Sequence, residues 1–199
     1  MARTAFISIL MLAVWFVRSP SWAADRKAWV HLTDCQYVER DYNDGDSFHV
    51  QCGEQEFVVR LYFVDAPEAT LRYPDRTREQ SEYFGVTLDE TLRAGRQATI
   101  LVREQLRTPF VVWTRWASAA GRTKTPRYYG FVEVEGHNLA ELLVSAGLAR
   151  TKGVTATGPT GEPSHVTRDT LQAFERAARQ EKRGIWATST AGPTAHATP

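Results

Sequence analysis

The stretch "DGDSFHVQCGEQEFVVRLYFVD", Asp44–Asp65, reads as turn, strand, turn, strand. Asp44, Gly45 and Asp46 are hairpin-turn residues, and "DSFHVQC" after them is rich in strand formers. "CGEQE" is a second turn, and "FVVRLYFVD" a further strand. With Asp41 added, three acids crowd around Gly45. On its own this turn reads as a solvated loop, and only the rest of the chain can argue for a cation there. Taking Glu54 and Gln55 as the second turn opposes Asp44 to Asp65 and Asp46 to Phe63. The carboxylates of Asp44, Asp46 and Asp65 then fall within about 7 Å of one another.

Working outward, "HLTDCQYVERDY" precedes the acidic turn as a first strand. The segment from Ala66 to Gly85 combines Pro, charge and little apolar periodicity, and is read as a loop. Thr87 and Glu90 form a capping box, with Leu88, Leu92, Val102 and Leu106 at roughly helical spacing after them. "FVVWTRW" and "RYYGFVEV" are a fourth and a fifth strand, separated by a polar loop. Asn138 caps a short helix that stops at Gly147. A last helix over 167–184 turns Leu171, Phe174 and Ala178 inward. This order predicts one α+β domain, and a five-stranded barrel with a helix between its third and fourth strands satisfies it compactly.

The 199 residues are 43% hydrophobic and 24% charged, enough apolar material for one core. "MARTAFISILMLAVWFVRSPSWA", residues 1–23, has a basic start, an apolar run and small residues at its exit, the pattern of a secretory signal peptide. Its apolar run is too short to cross a bilayer. The expected organisation is a leader over 1–23, a domain over 24–187 and a disordered tail over 188–199, giving a secreted or periplasmic monomer with no membrane contact. Losing Arg3 and Arg18 with the leader leaves 22 basic against 23 acidic side chains, a net of −1. That excludes a general electrostatic grip on nucleic acid, so anion recognition has to be local. Export permits a disulfide, and Cys35 and Cys52 flank the Asp44–Gly45 turn at nearly equal distances, which predicts a bond between them.

Three features carry candidate chemistry. Asp44, Asp46, Asp65 and Glu68 gather at one end of a sheet, where like charges need a shared cation or proton. Oxygen donors alone suit calcium or magnesium rather than zinc. Arg60 stands in a strand that is otherwise apolar, where an unpaired guanidinium is costly. It fits a structural ion pair with those acids, or a phosphate grip beside a cation. Arg127 opens the fifth strand and offers a second guanidinium. The five histidines form no metal spacing, and there is no Gly-rich phosphate loop.

"DGDSFHV", "VRLYFVDAPE", "RYYGFVEVEGHNLAELLVSAGLAR" and "AFERAARQEKRGIWA" occur in the order found in the staphylococcal nuclease-like domain, which the chain resembles from about Val38 to Ala187. The resemblance implies an OB-type five-stranded barrel with three helices. It implies a calcium-dependent nuclease acting on DNA or RNA that releases a 5′-oxygen and leaves 3′-phosphate ends. By the same resemblance Asp46 and Asp65 are calcium ligands with Asp44 in support. Glu68 directs the attacking water, and Arg60 and Arg127 hold the phosphate. The chain departs from the pattern at Ala66, where Thr is typical, and at Thr125-Pro126 before Arg127. Gly153 and Thr155 stand where tyrosines pack on a nucleotide. A non-catalytic nucleic-acid or protein binding module on the same fold is the alternative these departures leave open.

Overall fold

The structure, a computed structural model, describes residues 27–120 and 125–190. The leader expected over 1–23 and residues 191–199 of the expected tail lie outside the described residues. Among the described residues no helix is long and apolar enough to cross a membrane.

Strand β1 (Val30–Val38) pairs antiparallel with β2 (Ser47–Cys52), and β2 antiparallel with β3 (Gln55–Leu61). On its other edge β1 pairs with β5 (Phe110–Ser118), which pairs with β6 (Arg127–Val134), both antiparallel. A parallel pairing of β3 with β6 then joins the two ends of this run. Each of the five strands therefore has a partner on both edges, so no strand edge among them is left open. A short β7 (His137–Asn138) extends β6. Alternation drives the arrangement: Phe57, Val59 and Leu61 of β3 meet Phe48 and Val50 of β2, Val112 of β5 and Val132 of β6 in one core.

The β2–β3 register differs from the expected one. Cys52 pairs with Gln55 and Ser47 with Arg60, so the turn is Gly53–Glu54 rather than Glu54–Gln55. Gly53 has φ +59°, the left-handed conformation that such a tight turn demands and that glycine supplies without strain. Asp44 and Asp65 are thus not direct cross-strand partners. The predicted third strand is also interrupted. Phe63 takes φ +68°, and the chain resumes as β4 (Val64–Asp65), which leaves the main sheet to pair with β8 (Arg150–Thr151).

Among the described residues four α-helices accompany the sheet, one more than the three expected: α1 (Pro74–Phe84), α2 (Leu88–Gln105), α3 (Leu139–Ser145) and α4 (Ser164–Gln180). The additional one is α1, inside the segment read as a loop. Pro74 opens it and Gly85, at φ +64°, closes it. Its buried face is Thr77, Gln80, Ser81 and Phe84, which keeps helical spacing but is mostly polar. The helix caps read from the sequence are present: Thr87 and Glu90 reciprocate in a capping box at α2, and Asn138 Oδ1 accepts from the Ala140 N–H at 2.9 Å at α3.

The inward face of α2 is Thr91, Ala94, Gly95, Ala98 and Val102, and Leu88 lies 41% exposed. Small residues face inward because α2 lies directly against backbone. A β-carbon on Gly45 would stand 2.6 Å from the Ala98 β-carbon, which fits the acidic turn tightly onto this helix. Leu171 and Ala178 of α4 are buried and Phe174 packs on the core, as its spacing predicted. Cys35 and Cys52 form a disulfide between β1 and β2.

Candidate active site

The acidic turn is built by its own backbone before any ligand is considered. The Asp44 N–H donates to the Ser47 carbonyl at 2.9 Å, and the Asp46 N–H donates to Asp44 Oδ1 at 3.1 Å. The Leu61 N–H donates to the Asp46 carbonyl at 2.9 Å, which fastens the turn to β3. Asp46 Oδ2 accepts the Ala66 N–H at 2.8 Å. The turn, β3 and the segment after β4 are therefore held together through Asp46, which is 1% exposed.

Arg60 projects from β3 between two of the acids. Its Nη1 donates to Asp46 Oδ1, and its Nη2 lies 3.4 Å from Asp65 Oδ1. Asp65 is the most heavily engaged carboxylate. Its Oδ1 also accepts from Arg76 Nη2 at 2.5 Å, and its Oδ2 from Arg150 Nε at 2.9 Å and Gln80 Nε2 at 3.2 Å. Gln80 is fully buried and reads this segment at three points. Beyond Asp65, its amide donates to the Ala66 carbonyl at 2.9 Å, and its Oε1 accepts the Glu68 N–H at 2.8 Å. Glu68 faces the same space, with Arg76 Nε 2.8 Å from its Oε1.

Arg150 is buried and spans Asp65 and Glu79, with Glu79 oxygens at 2.9 and 2.5 Å. Its guanidinium also lies 4.6 Å from the centre of the Tyr83 ring. A burial this complete is tolerable because the guanidinium meets two carboxylates and a π-surface.

The charges perturb one another in definite directions. Burial pushes the Asp46 carboxyl well above the usual range, against the pull of Arg60 and with the repulsion of Asp44 and Asp65. Burial likewise raises Glu68, again with Asp46 and Asp65 repelling and Arg76 opposing. Asp44 is raised by burial too. Asp65 goes the other way: burial opposes its charge, but Arg76, Arg150, Gln80 and Arg60 together hold it ionised below its ordinary value. Burial works against the Arg60 charge as well, and Asp46, Asp44 and Asp65 outweigh it.

The structure thus brings together Asp44, Asp46, Arg60, Asp65 and Glu68, as the sequence grouped them. Arg127 stands apart. It opens β6 opposite Val58, two positions before Tyr129, the register partner of Arg60. Among the described residues no hydrogen bond or ion pair joins it to these carboxylates, and its buried Nε has no partner. Arg76, Gln80, Glu79 and Arg150 were not anticipated. Pro74 and Gly85 were readable helix bounds for the first three, but the polar inward face of α1 hid the period. Nothing local marks Arg150, which meets Asp65 across 85 positions of chain.

Among the described residues no group of three or more His, Cys, Asp or Glu side chains is disposed as a ready metal site. The donor chemistry nevertheless suits a hard cation. Three carboxylates converge on the one guanidinium of Arg76: Asp65 at 2.5 Å, Glu68 at 2.8 Å and Asp46 at 4.0 Å. A side-chain cation stands where a divalent ion would satisfy the same all-oxygen set.

The family model described as staphylococcal nuclease homologue matches residues 58–188, well over half of the chain. No curated protein matches it.

Proposed function

This chain belongs to the staphylococcal nuclease homologue family, and we propose that it is an exported, calcium-dependent nuclease that hydrolyses phosphodiester bonds of DNA or RNA. The observation that carries this reading is the position of Arg60, a nearly buried guanidinium in contact with Asp46 and Asp65, with Glu68 in the same cluster. The pairing of β3 with β6 supports the closed, five-stranded OB-type barrel expected of such a domain.

In this reading Asp46 and Asp65 hold the calcium ion, with Asp44 fixing the backbone of Asp46 through its side chain. When bound, the ion supplies positive charge that polarises a phosphoryl oxygen. Glu68 takes the proton from the attacking water, and a carboxyl raised by burial is a better proton acceptor than an exposed one. Arg60 is kept charged and oriented by its carboxylate partners, ready to neutralise charge that builds on the phosphorus oxygens. Arg127, whose Nε is unsatisfied in the fold, has hydrogen-bonding capacity left for the phosphate. The Cys35–Cys52 disulfide supports action in an oxidising compartment.

The second reading is a binding module on the same fold, and the Arg76 guanidinium among the carboxylates favours it. Incubating the purified protein with DNA and with RNA, in calcium and in chelator, separates the two. Cleavage that needs calcium supports the nuclease, and binding without cleavage in either condition overturns it.

A further inference from the structure

We propose that Arg76 is a built-in counter-cation, which holds the carboxylates of Asp46, Asp65 and Glu68 together and must swing out before a divalent cation can bind the two aspartates. The proposal rests on the calcium reading above and adds to it the residue that sets how tightly the ion is held.

Three guanidiniums neutralise this acid cluster, and they differ in their freedom to leave it. Arg150 has a side chain 2% exposed, pinned between Asp65, Glu79 and the Tyr83 ring. Arg60 is 11% exposed and enclosed by its strand neighbours. Arg76 is 38% exposed, so solvent already reaches its side chain. Moving either of the first two removes a packed group from the interior. Rotating Arg76 moves a charged head from a half-open site into water, which long basic side chains do at small cost.

Arg76 is also the guanidinium that meets all three acids. Its Nη2 lies 2.5 Å from Asp65 Oδ1 and 4.0 Å from Asp46 Oδ2, and its Nε lies 2.8 Å from Glu68 Oε1. Arg60 meets only the two aspartates, and Arg150 meets only Asp65 among them. A divalent ion coordinated by Asp46 and Asp65 and the Arg76 head cannot share one position, because both need the same aspartate lone pairs and both are positive.

The helix that carries Arg76 is not itself free to drift. Gln80, one turn further along the same face of α1, is fixed by its bonds to Asp65, Ala66 and Glu68. The exchange is therefore a side-chain rotation on a fixed helix. Without the ion, Arg76 keeps the acids from repelling one another; with it, the guanidinium is released toward solvent at the mouth of the site.

The test is calcium titration by calorimetry of the wild-type protein, Arg76→Gln, and Arg76→Gln combined with Asp46→Asn, with circular dichroism to establish that each is folded. Competition predicts that Arg76→Gln binds calcium at least tenfold more tightly than wild type, and that adding Asp46→Asn abolishes the gain. An Arg76→Gln variant with the wild-type Kd, or a weaker one, overturns the proposal while leaving the calcium site standing. A gain that survives Asp46→Asn also overturns it, since the ion then binds elsewhere. Absence of calcium binding in both wild type and Arg76→Gln overturns the calcium reading, and the competition with it.

Discussion

Gly95 of α2 lies against the backbone of Glu68 so closely that a β-carbon built on it would stand 2.4 Å from the Glu68 carbonyl carbon and oxygen, and 2.6 Å from the Ala69 nitrogen. Even one methyl group has no space there, and the obstacle is backbone, which cannot rotate away. Gly95→Ala is therefore expected to displace the Glu68 segment from α2. The stability loss should be about 1–3 kcal/mol, the usual cost of overpacking. With Glu68 in its proposed role, catalysis should fall further than stability explains, because a proton acceptor moved by an ångström no longer meets its water. Rates and melting temperatures of the folded variant check this. A variant with wild-type kcat would mean that the contact relaxes without moving Glu68.

Cys35 is fully buried and Cys52 is 7% exposed, so their bond staples β1 to β2 from inside the core. The two residues are 17 positions apart. Closing a loop of that size restricts the unfolded chain by about 3 kcal/mol. Cys35→Ala/Cys52→Ala, or the reduced protein, should lose stability of that order in urea unfolding while retaining the site geometry. Free thiols in protein exported under oxidising conditions would refute the bond.

Arg60 and Arg127 are expected to matter by different routes. Removing Arg60 takes from Asp46, which is 1% exposed, its nearest guanidinium and leaves it Arg76 at 4.0 Å. Breaking a buried ion pair costs up to about 3–5 kcal/mol, and the Ala66 N–H and Arg76 that stay with Asp46 reduce that here. Arg60→Ala should therefore lose both stability and turnover. Arg127→Ala removes a side chain whose Nε is buried and unpaired, so it should lose turnover with little change in melting temperature. Wild-type activity in a folded Arg127→Ala protein would remove that residue from the site.

What was legible in the sequence follows from how local each signal is. The acidic turn, Arg60 and "VDAPE" sit within one hairpin and its exit, so their clustering survived a wrong register. That register failed because the positive φ required by the turn selects Gly53, and the expected turn had placed Glu54 and Gln55 at its centre. Helix α1 escaped because its buried face is Thr77, Gln80, Ser81 and Phe84, and a search for apolar periodicity does not register buried amides and hydroxyls. Of these, Gln80 is inside because it bonds to the backbone and a carboxylate of the site, which is itself the functional signal, whereas the Thr77 and Ser81 hydroxyls bond back to carbonyls of their own segment. Arg150 is a tertiary fact: β8 reaches β4 only once the whole chain is folded.

Glu79 gives a pH dependence with a defined sign. Its hydrogen bonds with Arg150, and then with Lys152, hold its carboxyl at about 2, against an ordinary value of 4.5. A folded-state value below the unfolded one contributes stability in full above about 4.5, and that contribution is lost as pH falls through about 2. The side chain is 48% exposed, so solvent screening limits the effect to about 1 kcal/mol or less. Asp46 and Glu68 run the opposite way, since groups raised in the fold favour it as pH falls. The measurement is therefore the melting-temperature gap between wild type and Glu79→Gln. It should be present at neutral pH and shrink between pH 4.5 and 2. A gap that stays constant would mean that the pair with Arg150 does not stabilise the ionised form.

Glu68 and Asp46 are expected to fail differently, and the difference tests the assignment of roles. Asp46 is fixed at four points: its backbone N–H and carbonyl by Asp44 and Leu61, its carboxylate by Ala66 and Arg60. Glu68 is held at its backbone by Gln80, while among the described residues its carboxylate pairs with Arg76, which is 38% exposed. A rigid carboxylate suits a ligand, and one free to reorient suits a group that must accept a proton and later give it up. Glu68→Gln should therefore bind calcium within a few-fold of wild type, yet lose about 10² to 10⁴ in kcat, the usual worth of a positioned acid–base group. Asp46→Ala should lose calcium affinity first, with activity falling because the site no longer fills at ordinary calcium concentrations. Calorimetric titration beside nuclease rates for the three proteins reads both quantities. A Glu68→Gln enzyme as fast as wild type, or undiminished cleavage in chelator, would dismiss this division of roles and leave the binding module as the better reading of the fold.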